Sequence, residues 1–76
     1  MTDGERKYGL SNIEYDIITT LGNLLQGMQV LETYAGDAEA AGDAECATIF
    51  RTLSEGNRNS VQQLRKALAR HLNESS

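Results

Sequence analysis

The chain has 76 residues, with no proline, no tryptophan, one phenylalanine and three tyrosines. A chain of this length forms one domain at most, and its composition suits uninterrupted helices and argues against a β-sandwich or barrel. Seven basic and eleven acidic side chains give a net charge of −4, which disfavours nucleic acid or an anionic membrane as a partner because phosphates would be repelled. We expect a cytoplasmic protein without a membrane-spanning segment. The single cysteine cannot form an internal disulfide, and the sequence has neither a leader pattern nor a run of about 18 apolar residues.

Residues 1–10 mix charged side chains with two glycines and are predicted to form a flexible arm. The first helix is predicted to begin after Ser11, because Glu14 follows it at the spacing of a capping box. From there, two positions of a heptad are mostly apolar, and Ile18 and Leu25 widen the stripe on one side. One series comprises Leu10, Ile17, Leu24, Leu31 and Ala38, and the other comprises Glu14, Leu21, Met28 and Ala35. The pattern predicts a bundle helix that touches two neighbours.

The sequence Gly-Asp-Ala-Glu occurs twice, at 36–39 and at 42–45. Glycine favours the end of a helix and aspartate favours the start of the next, so one of these pairs is predicted to be the hinge. Reversal at Gly42 gives helices of nearly equal length within 11–72 and leaves a disordered tail at 73–76, whereas reversal at Gly36 would require a third helix. With the turn at 42–43, residues whose numbers sum to about 85 face each other. This register predicts that Leu31 meets Leu53.

The second helix contains seven residues, 54–60, without an apolar side chain. Either the helix breaks there or it continues with a polar layer in its core. Equal helix lengths favour continuity, and Asn57 would then face Met28. Gly22 and Gly27 have two interpretations, as tolerated surface glycines or as points of close helix–helix approach at a dimer seam.

A two-helix hairpin buries little surface, and chains this small usually need a disulfide, a metal or a partner. We therefore predict an all-α antiparallel hairpin that dimerises into a four-helix bundle. The predicted interface residues are Ile17, Ile18, Leu21, Leu24, Leu25, Met28, Leu31, Leu64 and Leu68.

The register places Glu14 opposite His71 near the open end of the hairpin, either as an ion pair or as part of a metal or proton-handling site shared across a two-fold axis. Glu14, Glu32 and His71 are the candidate metal ligands. The Glu-x-x-His spacing of di-iron bundles is absent, because the only histidine is His71 and residue 68 is leucine. We therefore predict no cofactor, no bound metal and no catalytic residues.

Cys46 lies in the first turn of the second helix, where the helix dipole could lower a thiol pKa, but no second cysteine or nearby histidine supports a reactive role. We interpret it as a small packed residue. The acidic side chains near the turn lack the spacing of an EF-hand loop and are interpreted as a solvated surface. They are Asp37, Glu39, Asp43 and Glu45.

Residues 24–27, with Glu32, Tyr34, the run 37–45 and residues 50–51, resemble small bacterial ferritin-like helical hairpins of unassigned function. The resemblance covers roughly 15–72 and implies that two hairpins pair into a ferritin-like bundle. Arg58 and Val61 occupy the positions where that superfamily would carry its second-helix glutamate and histidine, so the resemblance does not bring iron chemistry with it.

The sequence leaves three hypotheses for the function. The first is a non-catalytic bundle that self-associates and binds a protein partner, and the alternative is an iron-binding ferritin-like oligomer. RNA binding is the third, since Arg51, Arg58 and Arg65 repeat every seven residues.

Overall fold

A computed structural model of the chain describes residues 9–75, with the side chains of 9–74. In this part of the chain, two antiparallel α-helices pack along their length and there is no strand. Helix α1 spans Asn12–Ala40 and helix α2 spans Ala44–Ser75. The predicted all-α helical hairpin is confirmed. Most of the predicted N-terminal arm, residues 1–8, lies outside the described residues.

The start of α1 is fixed by the predicted capping box. The Ser11 hydroxyl accepts the backbone N–H of Glu14 at 3.1 Å, and the Glu14 carboxylate accepts the backbone N–H of Ser11 at 3.0 Å. Two of the N–H groups that the helix start would leave unpaired are therefore satisfied. The capping box is confirmed.

The chain reverses at residues 41–43. Gly42 adopts φ +79°, a left-handed conformation that favours glycine. The backbone N–H of Gly42 donates to the carbonyl of Glu39 at 3.0 Å, and that of Asp43 donates to the carbonyl of Ala38 at 2.8 Å. These are the two bonds of a Schellman motif, which closes a helix at its C-terminus. Gly36, the alternative hinge, lies inside α1.

Helix α2 continues without interruption through the polar run at 54–60, as predicted from equal helix lengths. Its inner stripe keeps the heptad spacing, so the positions seven residues after Ala47 and Phe50 are Ser54 and Asn57. Ser54 is only 6% exposed. Ser54 and Asn57 therefore form a polar layer in the contact between the helices, and the helix does not break there.

One predicted pairing is wrong. Leu53 was expected to meet Leu31 across the hairpin, but its side chain is 52% exposed and the neighbouring Ser54 is buried in its place. A shift of one residue rotates a side chain by about 100° around a helix, so Leu53 and Ser54 cannot share an orientation. The heptad phase places Ser54 on the inner stripe, although Leu53 is the more apolar residue.

The end of α2 also differs from the prediction. The helix runs to Ser75, so residues 73–75 belong to it and not to a disordered tail. Neither glycine nor proline occurs after residue 56. The chain therefore lacks the residues that most often end a helix.

The hairpin is a slender rod of 54 × 19 × 13 Å. Its buried apolar residues are one isoleucine and three alanines, namely Ile17, Ala35, Ala38 and Ala47. Among the described residues, no large side chain is fully buried. Most of the apolar residues along the contact are only half-buried, because two helices cover each other on one side alone.

Candidate interaction surfaces

The hairpin has two broad faces, one on each side of the plane that contains both helix axes. We call them the charged face and the uncharged face. On the charged face lie Tyr15, Ile18, Gly22, Leu25, Gln29, Glu32, Glu39, Arg51, Glu55, Arg58, Gln62, Arg65 and Leu72. On the uncharged face lie Thr20, Asn23, Gly27, Val30, Tyr34, Cys46, Ile49, Leu53, Gly56, Ser60, Gln63 and Ala67.

Contacts between the helices fix which residues share a face. Arg51 of α2 forms an ion pair with Glu39 of α1, which joins the two helices on the charged face. On the other side, Tyr34 of α1 meets Phe50 of α2 edge-on, with ring centroids 5.7 Å apart and an angle of 61°. Residues at heptad positions equivalent to these belong to the same two faces.

The arginine row that suggested RNA binding lies on the charged face. Arg51 pairs with Glu39, and the Arg58 guanidinium lies 3.6 Å from the Glu55 carboxylate one turn earlier. All four side chains are more than half exposed. Carboxylates therefore alternate with the guanidinium groups, and this arrangement gives no continuous positive surface of the kind that follows a phosphate backbone.

The uncharged face carries exposed apolar side chains toward the turn. Val30 and Tyr34 project from α1 one turn apart, and Ile49 and Leu53 project from α2 in the same way. Each is between 44% and 52% exposed. Isolated exposed apolar residues are ordinary on protein surfaces, but four in adjacent turns of two packed helices form a patch.

Near the middle of the hairpin, Asn57 reaches across to α1. Its Nδ2 donates to the backbone carbonyl of Leu24 at 3.3 Å, and a Cβ atom at Gly27 would lie 3.0 Å from that nitrogen. Gly27 therefore admits the Asn57 side chain within one hairpin, a contact that was not predicted from the sequence. At Gly22 an added Cβ would meet open space, since no atom lies within 4 Å.

A cavity of about 350 Å³ lies beside the turn, lined in part by Tyr34, Phe50, Asp43 and Cys46. The Asp43 carboxylate caps α2 by accepting the backbone N–H of Cys46 at 3.0 Å. This bond lowers the pKa of Asp43, and the hydrogen bond from the thiol to the same carboxylate raises the pKa of Cys46. The carboxylate thus opposes the helix dipole, and the thiol stays protonated at neutral pH and is a weak nucleophile.

The three candidate metal ligands are not brought together. Glu14 is 3% exposed and accepts the Ser11 N–H, and half-buried His71 lies across from it in the register. Glu32 is exposed on the charged face, 18 residues from Glu14 and thus about 27 Å along the helix. In residues 9–75 there is no group of three or more histidine, cysteine, aspartate or glutamate side chains that could hold a metal ion.

Of the nine predicted interface residues, seven lie between the two helices of the hairpin and two lie on the charged face. Ile17 is buried in the contact between the helices, whereas Ile18 and Leu25 are exposed on the charged face. The others are half-buried between the helices, namely Leu21, Leu24, Met28, Leu31, Leu64 and Leu68. Sequence reasoning missed Ile49 and Leu53 as surface residues. The signal was present, because these heptad positions of α2 carry no charge from Cys46 to Ala67.

Neither described helix is long and apolar enough to span a bilayer. A scan against protein-family models finds no match, and searches of curated proteins and of solved structures find none either. The similarity to ferritin-like hairpins therefore stays a prediction from the residues that suggested it.

Proposed function

We propose that the protein is a non-catalytic helical component that acts by self-association and by binding a protein partner in the cytoplasm. The observation that carries this proposal is an incomplete core. No large side chain is fully buried among the described residues, while nine large apolar side chains are exposed. A hairpin with this distribution needs a further surface to cover it.

The energies support a partner. Full burial of a large apolar side chain contributes about 1.5–3 kcal/mol, so a side chain left half exposed forgoes about 1 kcal/mol. For nine such residues, the unrealised stabilisation is about 9 kcal/mol, which matches the whole net stability of about 5–15 kcal/mol typical of a folded domain. Covering even half of these residues would change the stability of the chain decisively.

A second hairpin is the simplest cover. Two hairpins that pack face to face form an antiparallel four-helix bundle, in which each helix touches two neighbours. The resemblance to ferritin-like hairpins favours the same arrangement. Cys46 is the only cysteine, so no internal disulfide stabilises the hairpin, as suits a reducing compartment.

Native mass spectrometry and sedimentation equilibrium over a wide range of protein concentrations test the proposal. We expect a mass of twice 8.3 kDa, and a melting temperature that rises with concentration because association stabilises the folded state. A folded monomer at every concentration, with a melting temperature independent of concentration, would refute it. Metal content, measured on protein prepared without chelators, separates the iron-binding alternative: bound iron that is lost in Glu14→Ala would favour that alternative.

A further inference from the structure

The uncharged face holds no ionisable group other than the protonated Cys46 thiol and the Tyr34 phenol along most of its length. On α1, Asp16 and Asp37 bound a stretch of 20 residues whose members on this face are all uncharged. On α2, the corresponding stretch runs from Cys46 to the residue before Arg70. Charged residues make up 24% of the chain, so their exclusion from this length of one face is a strong bias. Depletion of charge, with tyrosine present, is typical of the centre of a protein–protein interface.

We infer that a second copy of this chain docks on the uncharged face, with a two-fold axis running across the helices near residues 27 and 58. Each turn then lies beside the open end of the partner hairpin, where α1 begins and α2 ends. The inference rests on the proposed self-association and specifies its surface and symmetry.

The positions of Leu53 and Ser54 support this surface. A leucine that is 52% exposed lies next to a serine that is 6% exposed, although the reverse order would give an isolated hairpin the better core. Ile49 and Val30 are exposed on the same face. Apolar residues that point outward in this way become part of a core when a partner covers them.

The face is also complementary to itself under the inferred rotation. Its large side chains, Val30, Tyr34, Ile49 and Leu53, are in the half nearer the turn. The half nearer the open end carries mostly smaller residues, namely Thr20, Asn23, Ser60 and Ala67, together with the longer Gln63. A two-fold axis across the middle places the large half of each copy on the small half of the other. Such alternation fills an interface without overpacking, and a two-fold interface requires a surface that matches itself.

The charges at the two ends select the antiparallel arrangement of hairpins. Four acidic residues surround the turn, namely Asp37, Glu39, Asp43 and Glu45. Three basic residues lie toward the open end of α2, namely Arg65, Lys66 and Arg70. With turns at opposite ends of the dimer, each acidic turn lies near these three basic residues of the partner, which share the open end with Glu14, Asp16 and Glu74. With turns at the same end, the two acidic groups would lie together, which costs free energy.

The area is sufficient for a specific dimer. Twenty residues of helix span about 30 Å, and the hairpin is 19 Å wide. The face therefore covers about 570 Å² on each copy and about 1,100 Å² in total, just above the threshold of about 1,000 Å² for a specific interface. The charged face is a poorer candidate, since Arg58 and Arg65 of both copies would be brought into one interface.

The native cysteine reports the symmetry directly, in the unmutated chain. Cys46 is 12 residues from the inferred axis, so spin labels on the two copies should lie about 36 Å apart in a pulsed electron double resonance measurement. With both turns at one end, the two Cys46 residues would lie on diagonal helices about 15 Å apart. A distance below about 20 Å would overturn the inferred symmetry. Thr48→Cys in a Cys46→Ser background provides a second label on the opposite side of α2, 10 residues from the axis and therefore with a separation of about 30 Å along the helix direction.

Paired substitutions test the surface. Leu53 on the uncharged face and Leu25 on the charged face are 52% and 50% exposed, so glutamate at either site should be tolerated equally by a single hairpin. A two-fold dimer contains each change twice. If each glutamate weakens dimer affinity tenfold, Leu53→Glu should raise the dimer dissociation constant about 100-fold. Leu25→Glu should change that constant less than threefold.

The outcomes separate this inference from the proposed function. If Leu25→Glu dissociates the dimer and Leu53→Glu does not, self-association stands and the assigned surface is wrong. If both variants remain dimeric, the surface is again wrong. If the unmutated chain is monomeric throughout, the proposed function itself fails.

Discussion

Replacing Gly27 with alanine probes the contact between Asn57 and α1, and Gly22 in the same helix provides a matched control. Alanine in place of glycine in a helix interior stabilises by about 1 kcal/mol. At Gly22 the new Cβ meets open space, so Gly22→Ala should show the full gain, about 4–8 °C in melting temperature for a domain of this size. At Gly27 the new Cβ would lie 3.0 Å from the Asn57 nitrogen, and the amide must move. This shift weakens its hydrogen bond to the Leu24 carbonyl, whose full loss would cost about 0.5–1.5 kcal/mol, so the net gain in stability should be smaller than at Gly22.

A double-mutant cycle isolates this contact. In an Asn57→Ala background no amide remains to be displaced, and Gly27→Ala should regain about 1 kcal/mol. Any effect of Gly27→Ala on self-association is present in both backgrounds and cancels in the coupling energy. The assay is thermal and urea unfolding followed by circular dichroism at one fixed protein concentration, because association changes the apparent stability. If Gly27→Ala stabilises the unmutated chain as much as Gly22→Ala does, or if the cycle is additive within about 0.3 kcal/mol, the described contact is refuted.

Three further predictions concern the helix ends and the surface. Ser11→Ala removes the hydroxyl that accepts the Glu14 N–H and should lower the free energy of unfolding in urea by about 1 kcal/mol. Ser11→Thr keeps a hydroxyl and should retain most of that stability. An unchanged free energy of unfolding in Ser11→Ala would contradict the capping box. The pKa of Asp43 is lowered by the Cys46 N–H, so its stabilisation is present above the ordinary value of 3.8 and is lost as pH falls through the folded value. Asp43→Asn keeps a cap acceptor and should flatten this acid dependence of the melting temperature; an unchanged acid profile would refute the assignment. Arg51→Ala should change stability by less than about 0.5 kcal/mol, because the pair with Glu39 is exposed, and a larger, salt-independent loss would show a buried role.

The helices and their capping could be predicted because they depend on local chemistry. Ser11 and Glu14 at capping-box spacing, and Gly42 before Asp43, specify helix ends through bonds to nearby backbone groups. The heptad phase of α1 is equally local, since its apolar series repeats without interruption. No partner or distant contact is needed to form these features, so one sequence suffices to predict them.

The middle of α2 could not be predicted with the same success. Pairing residues by hydrophobicity predicts that Leu31 meets Leu53. The heptad repeat that starts at Ala47 instead places Ser54 in the contact between the helices, as the structure shows. Hydrophobicity and heptad phase disagree here because Ser54 lies between the helices and the more apolar Leu53 faces outward, as exposed Ile13 does beside buried Glu14. Gly27 was ambiguous for a related reason, since its neighbour Asn57 lies 30 residues away in the sequence.

This disagreement also bears on what the protein does. A sequence selected only for a stable single hairpin has no physical reason to bury Ser54 and expose Leu53, since exchanging them would place the larger apolar surface between the helices. The exposed leucine belongs to a face without charged side chains, where Val30, Tyr34 and Ile49 also point outward. The polar layer costs stability inside the hairpin, and the uncharged face can recover that stability only when another surface covers it. Under the self-association that we propose, folding and association are coupled in this chain. A partner that covers the uncharged face would stabilise the hairpin itself, and protection of α2 backbone amides from hydrogen exchange should increase with protein concentration.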